Sequence, residues 1–197
     1  MKRREPTLLE RFLEEATHEG EPLEVAELLA LSAEAMPVPP PLRDRLERSL
    51  ESTHRFDDLE GVVAEIADLP IDRARALLLS IDAPSTRWEP GPGEGIELLH
   101  FVGGEKVKDA VTGVVRHAPG ARFPEHDHVG DETVLILQGE CVDDDGSIYR
   151  AGDVAPRGPG SPHSYRAVGP LPLLTLAVVH GGVVVGGEIY GPSDPRA

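Results

Sequence analysis

The chain is short of cysteine, of basic residues and of long apolar runs, and each shortage closes off a class of protein. Its one cysteine in 197 residues, Cys141, leaves no intramolecular disulfide and fits a reducing compartment. Lysine and arginine number 19 against 35 aspartate and glutamate, a formal net charge of −16. A nucleic-acid surface needs basic side chains clustered on one face, so no direct nucleic-acid contact is expected. The acidic excess runs through both halves, which serves solubility and would also suit a basic protein partner. No apolar stretch is long enough to span a bilayer, and Met1-Lys2-Arg3-Arg4 is followed by charged residues where a secretion signal would have its apolar core. A cytoplasmic protein without membrane contact is expected.

What is present divides into two kinds of sequence. Residues 7 to 81 carry helical periodicity, in Leu8, Leu9, Phe12 and Leu13, then Val25, Leu28, Leu29 and Leu31, then Leu42, Leu46 and Leu50, then Leu59, Val62, Val63 and Ile66. Pro37, Pro39, Pro40 and Pro41 form a stiff linker inside that region. Pro70 ends the fourth segment, and Asp72 is expected to cap a last short helix through Ala74, Leu77, Leu78 and Leu79. Helices this short bury little among themselves, so one face should dock onto the remainder of the chain or onto a partner. From residue 84 the pattern changes to short β-branched strands between glycines and prolines, as in Thr112 to Ala118, Glu132 to Gln138 and Leu171 to Val179. The expected architecture is therefore α+β, with a helical segment over 1–83 and a small antiparallel β-barrel over 84–197.

The chemistry is concentrated in the run from Gly120 to Gly139, G-ARFPE-H-D-H-VGD-E-TVLILQ-G, and in His163 beyond it. If His126 and His128 share a strand, the period of two turns both imidazoles to one face, with Glu132 across the following bend. Three neutral imidazoles and one carboxylate then suit zinc, iron, copper or nickel, and donor identity alone does not choose among them. Each ligating ring needs an acceptor for its other N–H, and Glu125, Asp127 and Asp131 are near in sequence, although alternation turns Asp127 away. His18, His54, His100, His117 and His180 have no partner at ligand spacing and are read as ordinary surface or core residues.

This run resembles the first motif of the cupins, glycine, five residues, H-x-H, three or four residues, glutamate, six residues, glycine, and satisfies every position of it. The cupins' second motif is similar to Gly152 through His163, with Gly158 where a proline is expected and Ala167 where an asparagine is expected. The resemblance implies a metal-binding double-stranded β-helix with His126, His128, Glu132 and His163 as ligands. It implies a divalent ion, zinc first, with iron, manganese, nickel or copper as alternatives.

The order of acidic helices, a P-V-P-P-P-L-R-D-R-L segment, a lead-in containing Trp88 and then P-G-A-R-F-P-E-H-D-H looks like the ChrR-type anti-sigma factors. That resemblance implies a regulator whose helical module, residues 1–83, holds a sigma factor or other regulatory protein while the cupin senses a small molecule or oxidant. Members carry a zinc site of histidine and paired cysteines in the helical module, and no cysteine precedes Cys141 here, so that site is absent. The competing expectation is a metal-dependent dioxygenase-like enzyme, with Tyr149, Tyr165, Arg116 and Arg122 as candidate polar neighbours and Val134, Ile136 and Gln138 on the ligand side of Glu132. Cys141 offers a redox variant of the sensor. A homodimer formed through edge strands is also expected.

Overall fold

The computed structural model describes residues 54–192. A short 3₁₀ turn at Asp57–Leu59 leads into two helices, α1 (Glu60–Ile66) and α2 (Ile71–Ser80). Twelve strands follow: β1 (Glu89–Pro90), β2 (Ile96–His100), β3 (Ala110–His117), β4 (Arg122–His128), β5 (Glu132–Gln138), β6 (Glu140–Asp143), β7 (Ile148–Arg150), β8 (Val154–Arg157), β9 (His163–Val168), β10 (Leu173–His180), β11 (Val183–Val185) and β12 (Glu188–Tyr190). The first three segments of helical periodicity, up to Leu50, and His18 lie outside the described residues.

The strands form two antiparallel six-stranded sheets, in the orders β1-β2-β3-β10-β5-β8 and β12-β11-β4-β9-β6-β7. The expected barrel is thus a two-sheet sandwich whose sheets are not joined by a hydrogen-bonded strand pair among the described residues. The three strands expected from sequence begin or end within a few residues of β3, β5 and β10. Pairing is continuous where it matters most: Leu99↔Val114, Val114↔Leu176 and Leu176↔Leu135 run in one row across β2, β3, β10 and β5.

Period-two alternation then sorts the side chains of the first sheet. Leu99, Val114, Leu135, Leu137, Leu174, Leu176 and Val178 pack in one cluster with Phe56, Val63, Ala74 and Leu78 from the helical segment. The helices therefore cover the outer face of this sheet, and their apolar stripes share its core. The alternate residues, Leu98, Val115, Ala177, Val179 and Val134, face the space between the sheets, where they line a cavity. Glu60 and Arg75 clamp α1 to α2 with two hydrogen bonds, of 2.7 and 2.8 Å.

Two local expectations need correction. Asp72 lies in the first turn of α2, while Pro70 is the N-cap and no side chain caps the helix. Proline without an N–H suits that position, and the aspartate still favours the positive end of the helix dipole. Gln138 does not stay on the ligand side of Glu132. The β5–β10 register shifts between Leu174 and Thr175, so Gln138 pairs with Leu174 on the helix-covered face, where it donates to Pro172 O at 3.0 Å and accepts from Arg55.

Candidate metal centre

Sheet pairing brings the four residues of the sequence motif to one point from both sheets. His126 and His128 are two apart on β4, His163 on β9 is the direct pairing partner of His126, and Glu132 opens β5 in the opposite sheet. The bend over Val129 to Asp131 is what carries the chain from one sheet to the other. Ring centroids lie 4.4 Å apart for His126 and His163, 4.9 Å for His126 and His128, and 5.2 Å for His128 and His163. One donor atom from each of the four lies within 4.8 Å of every other. Ligands about 2.0–2.2 Å from a common ion would be at most about 4.4 Å apart, so the cluster needs only small adjustment to hold one.

Burial makes the case chemical as well as geometric. The four residues are 3 to 7% exposed. Among the described residues, His128 has no hydrogen-bond partner at either ring nitrogen, and His163 has none at Nε2. Nε2 of His128 lies 3.1 Å from Glu132 Oε2 and Nε2 of His163 lies 3.7 Å from it, without hydrogen-bond alignment. Buried polar atoms left unpaired cost free energy, and donors facing one another across an open point are what a cation would satisfy. The donor set thus fits a metal ion.

The partners of the rings come from unexpected places. His126 Nδ1 bonds the carbonyl of Pro124 at 3.0 Å, and His163 Nδ1 bonds the Asp143 carboxylate at 3.1 Å. Each bond makes Nδ1 the donor and frees Nε2 as the lone pair. Asp143 is itself held by Arg157 and by the N–H of Asp144 at 2.9 Å. Twenty residues separate Asp143 from His163, and only the β6–β9 pairing joins them, so no sequence-local signal could have found it. Asp127 turns away as alternation requires, accepting from the backbone N–H of His128 at 2.8 Å.

Titration in the cluster follows the same contacts. Desolvation pushes the Glu132 carboxyl up, but the facing His128 and His163 rings more than offset it and hold the group at about 2. Burial lowers His126 to about 4, with the Pro124 bond and Glu132 only partly opposing. Burial would lower His163 too, yet the Glu132 and Asp143 carboxylates prevail and raise it. Near neutrality the centre therefore offers an ionised carboxylate and an unprotonated His126.

A cavity of about 300 Å³ opens directly on His126 and Glu132. Its walls are apolar apart from His100, Tyr165 and Tyr190. Of the four expected polar neighbours, Tyr165 lines this cavity. Tyr149 lines a smaller one behind the centre, Arg116 stacks on Trp88 at 4.1 Å, and Arg122 bonds Ser164 at 2.7 Å. Cys141 is buried beside Tyr149, and burial together with Asp143 pushes its thiol up to about 11, which keeps it protonated at neutral pH. Ala167, in the place of the motif asparagine, is fully buried against Ile136, Cys141 and Leu173.

Two facing antiparallel sheets with three histidines and a glutamate converging between them define a cupin. More narrowly, the chain belongs to the ChrR cupin-like family, whose domain model matches residues 78–183. No curated protein matches the chain. Among solved structures, a chain of Rhodobacter sphaeroides SigE in complex with the anti-sigma ChrR is 20% identical over 79% of this chain and 74% of that one, with a TM-score of 0.49. An acetylacetone dioxygenase from Acinetobacter johnsonii is 15% identical over 58% and 86%, with a TM-score of 0.48. An RmlC-like cupin protein from Ralstonia eutropha JMP134 is 18% identical over 57% and 78%, also at 0.48. No helix among the described residues is long and apolar enough to cross a membrane.

Proposed function

We propose that this protein is a metal-dependent regulator of the ChrR type, in which His126, His128, Glu132 and His163 hold one divalent ion, zinc first, and residues 1–83 form a module that engages a sigma factor or another regulatory protein. The observation that carries the reading is the double use of β5. Glu132 and Val134 face the metal cluster and its cavity, while Leu135 and Leu137, on the opposite face of the same strand, pack with Val63 and Leu78 of the helices. A sensor needs its ligand site and its partner-facing element to share a mechanical layer, and one strand thickness separates them here.

When bound, the ion supplies a Lewis-acid centre with coordination positions left for a ligand. The chain does the rest. With an ion held between them, Glu132 would link the first sheet to the three histidines of the second, so a molecule entering the cavity beside Glu132 would alter the spacing of the sheets. That movement passes through Leu135 to the helices. The competing reading, a dioxygenase-like enzyme on a small organic substrate, is favoured by the cavity that opens on the same four residues.

Elemental analysis of protein purified without added metal, beside His128→Ala and His163→Ala, tests the ligand set, with near-stoichiometric zinc in the parent and its loss in both variants expected. Co-expression with candidate sigma factors then tests the role. A complex that forms with the parent chain and dissociates on exposure to oxidant supports the regulator. Iron with substrate-dependent dioxygen consumption, and no sigma-factor complex, would replace it with the enzyme.

A further inference from the structure

His100 is a half-buried histidine that lines the cavity outside the four-residue cluster. It closes β2 and belongs to the inner row His100↔Gly113, Gly113↔Ala177, Ala177↔Val134, two residues along from the pair Glu132↔Val179. Strands lie about 4.8 Å apart, so three steps separate the backbone of His100 from that of Val134 by about 14 Å. The two residues between them are the smallest available. Glycine and alanine leave room in that row, and His100, Gly113, Ala177 and Val134 line the 300 Å³ cavity together with His126 and Glu132. No hydrogen bond or ion pair engages the His100 ring among the described residues.

We propose that this cavity binds a small carboxylate with an apolar body and a hydrogen-bonding group at its far end, the carboxylate toward the metal ligands and the far group on His100. The proposal rests on the ligand set above. Three neutral imidazoles and one carboxylate leave a divalent ion with one net positive charge, which matches one carboxylate. The valine-rich walls, Val111, Val115, Val179, Val183 and Val185 among them, match an aromatic or branched aliphatic body. At about 30 Å³ per small group the volume holds on the order of ten non-hydrogen atoms. His100 is then a specificity residue, and Tyr165, on the same cavity, flanks the body.

The cavity also supplies a test that does not endanger the fold. A Cβ added at Gly113 would meet Leu99 O at 3.6 Å and His100 Nδ1 at 3.7 Å, ordinary contact distances, and Gly113 has no positive φ. A Cβ at Gly113 is thus accommodated, and Gly113→Val, a residue suited to strands, carries its two further methyls into the space that Gly113 and His100 line. Calorimetric titration of the zinc-loaded full chain would use 4-hydroxybenzoate and benzoate as probes. The parent should bind the hydroxylated probe about fivefold to tenfold more tightly, the worth of one buried hydrogen bond. His100→Leu should erase that difference while leaving benzoate within about twofold. Gly113→Val should abolish binding of both with zinc content and thermal melting retained. A parent that binds neither probe while fully metallated, or a preference that survives His100→Leu, would overturn the inference. Loss of zinc from the parent would instead remove the ligand set on which it stands.

Discussion

His163 reaches the candidate metal cluster with a ring whose orientation is decided elsewhere, by Asp143 and, behind it, Arg157. Asp143→Asn keeps the shape but removes the charge that raises the basicity of the ring and secures its tautomer. Metal affinity should fall about 10-fold to 100-fold, as for other outer partners of metal-bound histidines, and a chelator-competition titration reads it. Arg157 would lose its partner in the same variant, so Arg157→Gln in the Asp143→Asn background should add little further loss. His117 illustrates the opposite case. Its ring is fully buried near Phe123 and Tyr165, 5.9 and 5.2 Å away, and neither nitrogen makes a well-formed hydrogen bond among the described residues. Burial lowers it from 6.5 to about 4, with the Leu173 backbone only partly opposing. Below pH 6.5 the unfolded chain binds a proton that the folded chain refuses, so stability falls as pH drops toward 4. That single group accounts for about 3 kcal/mol across the window. His117→Phe should flatten this part of a pH series of urea melts, and an unchanged slope would show that His117 does not set it.

At the scale of elements, turns decide whether the two sheets meet in register. Gly139 joins β5 to β6 with φ of 83°, and a Cβ there would lie 3.0 Å from Pro172 O and 3.1 Å from Leu173 Cα. Gly146 has a similar φ of 88° but open space around it. Gly146→Ala should therefore cost only backbone strain, about 1 kcal/mol, whereas Gly139→Ala should cost about 2–3 kcal/mol through strain and contact together. Urea midpoints of the two variants measure the difference. Gly139 was legible as the closing glycine of the first cupin motif, and β5 was legible from Glu132 to Gln138 because one apolar, β-branched run has no other good use. The H-x-H pair could be placed on one strand for the same reason of period two. What could not be read were contacts between distant strands. Asp143 depends on β6–β9 pairing, Gln138 on a register shift, and the cavity on the coincidence of Gly113 with Ala177 across β3 and β10. The helices were legible as amphipathic segments, but their shared core with Leu135 and Leu176 follows from a sheet face that only long-range pairing creates.

For the whole molecule, the decisive question is whether the candidate metal centre and the helices open as one unit. The cluster links both sheets, and the first sheet shares its core with α1 and α2, so metal binding should protect amides well beyond its ligands. At a free zinc concentration of 100 times the dissociation constant, binding stabilises the folded state by about 2.7 kcal/mol, a factor of about 100 in any exchange that requires global opening. Hydrogen exchange followed by mass spectrometry, with zinc and then with chelator, should show that factor in β4, β5 and β9 and also in Val62 to Ile66 and Leu77 to Ser80. Leu135→Ala removes the side chain that bridges Glu132's strand to the helices, at a cost of about 2–5 kcal/mol. In that variant zinc should still protect the strands while its effect on the helices shrinks. If zinc protects the ligand strands alone in the parent, the helices open independently of the centre, and a signal arising at the metal has no route through this layer to a partner.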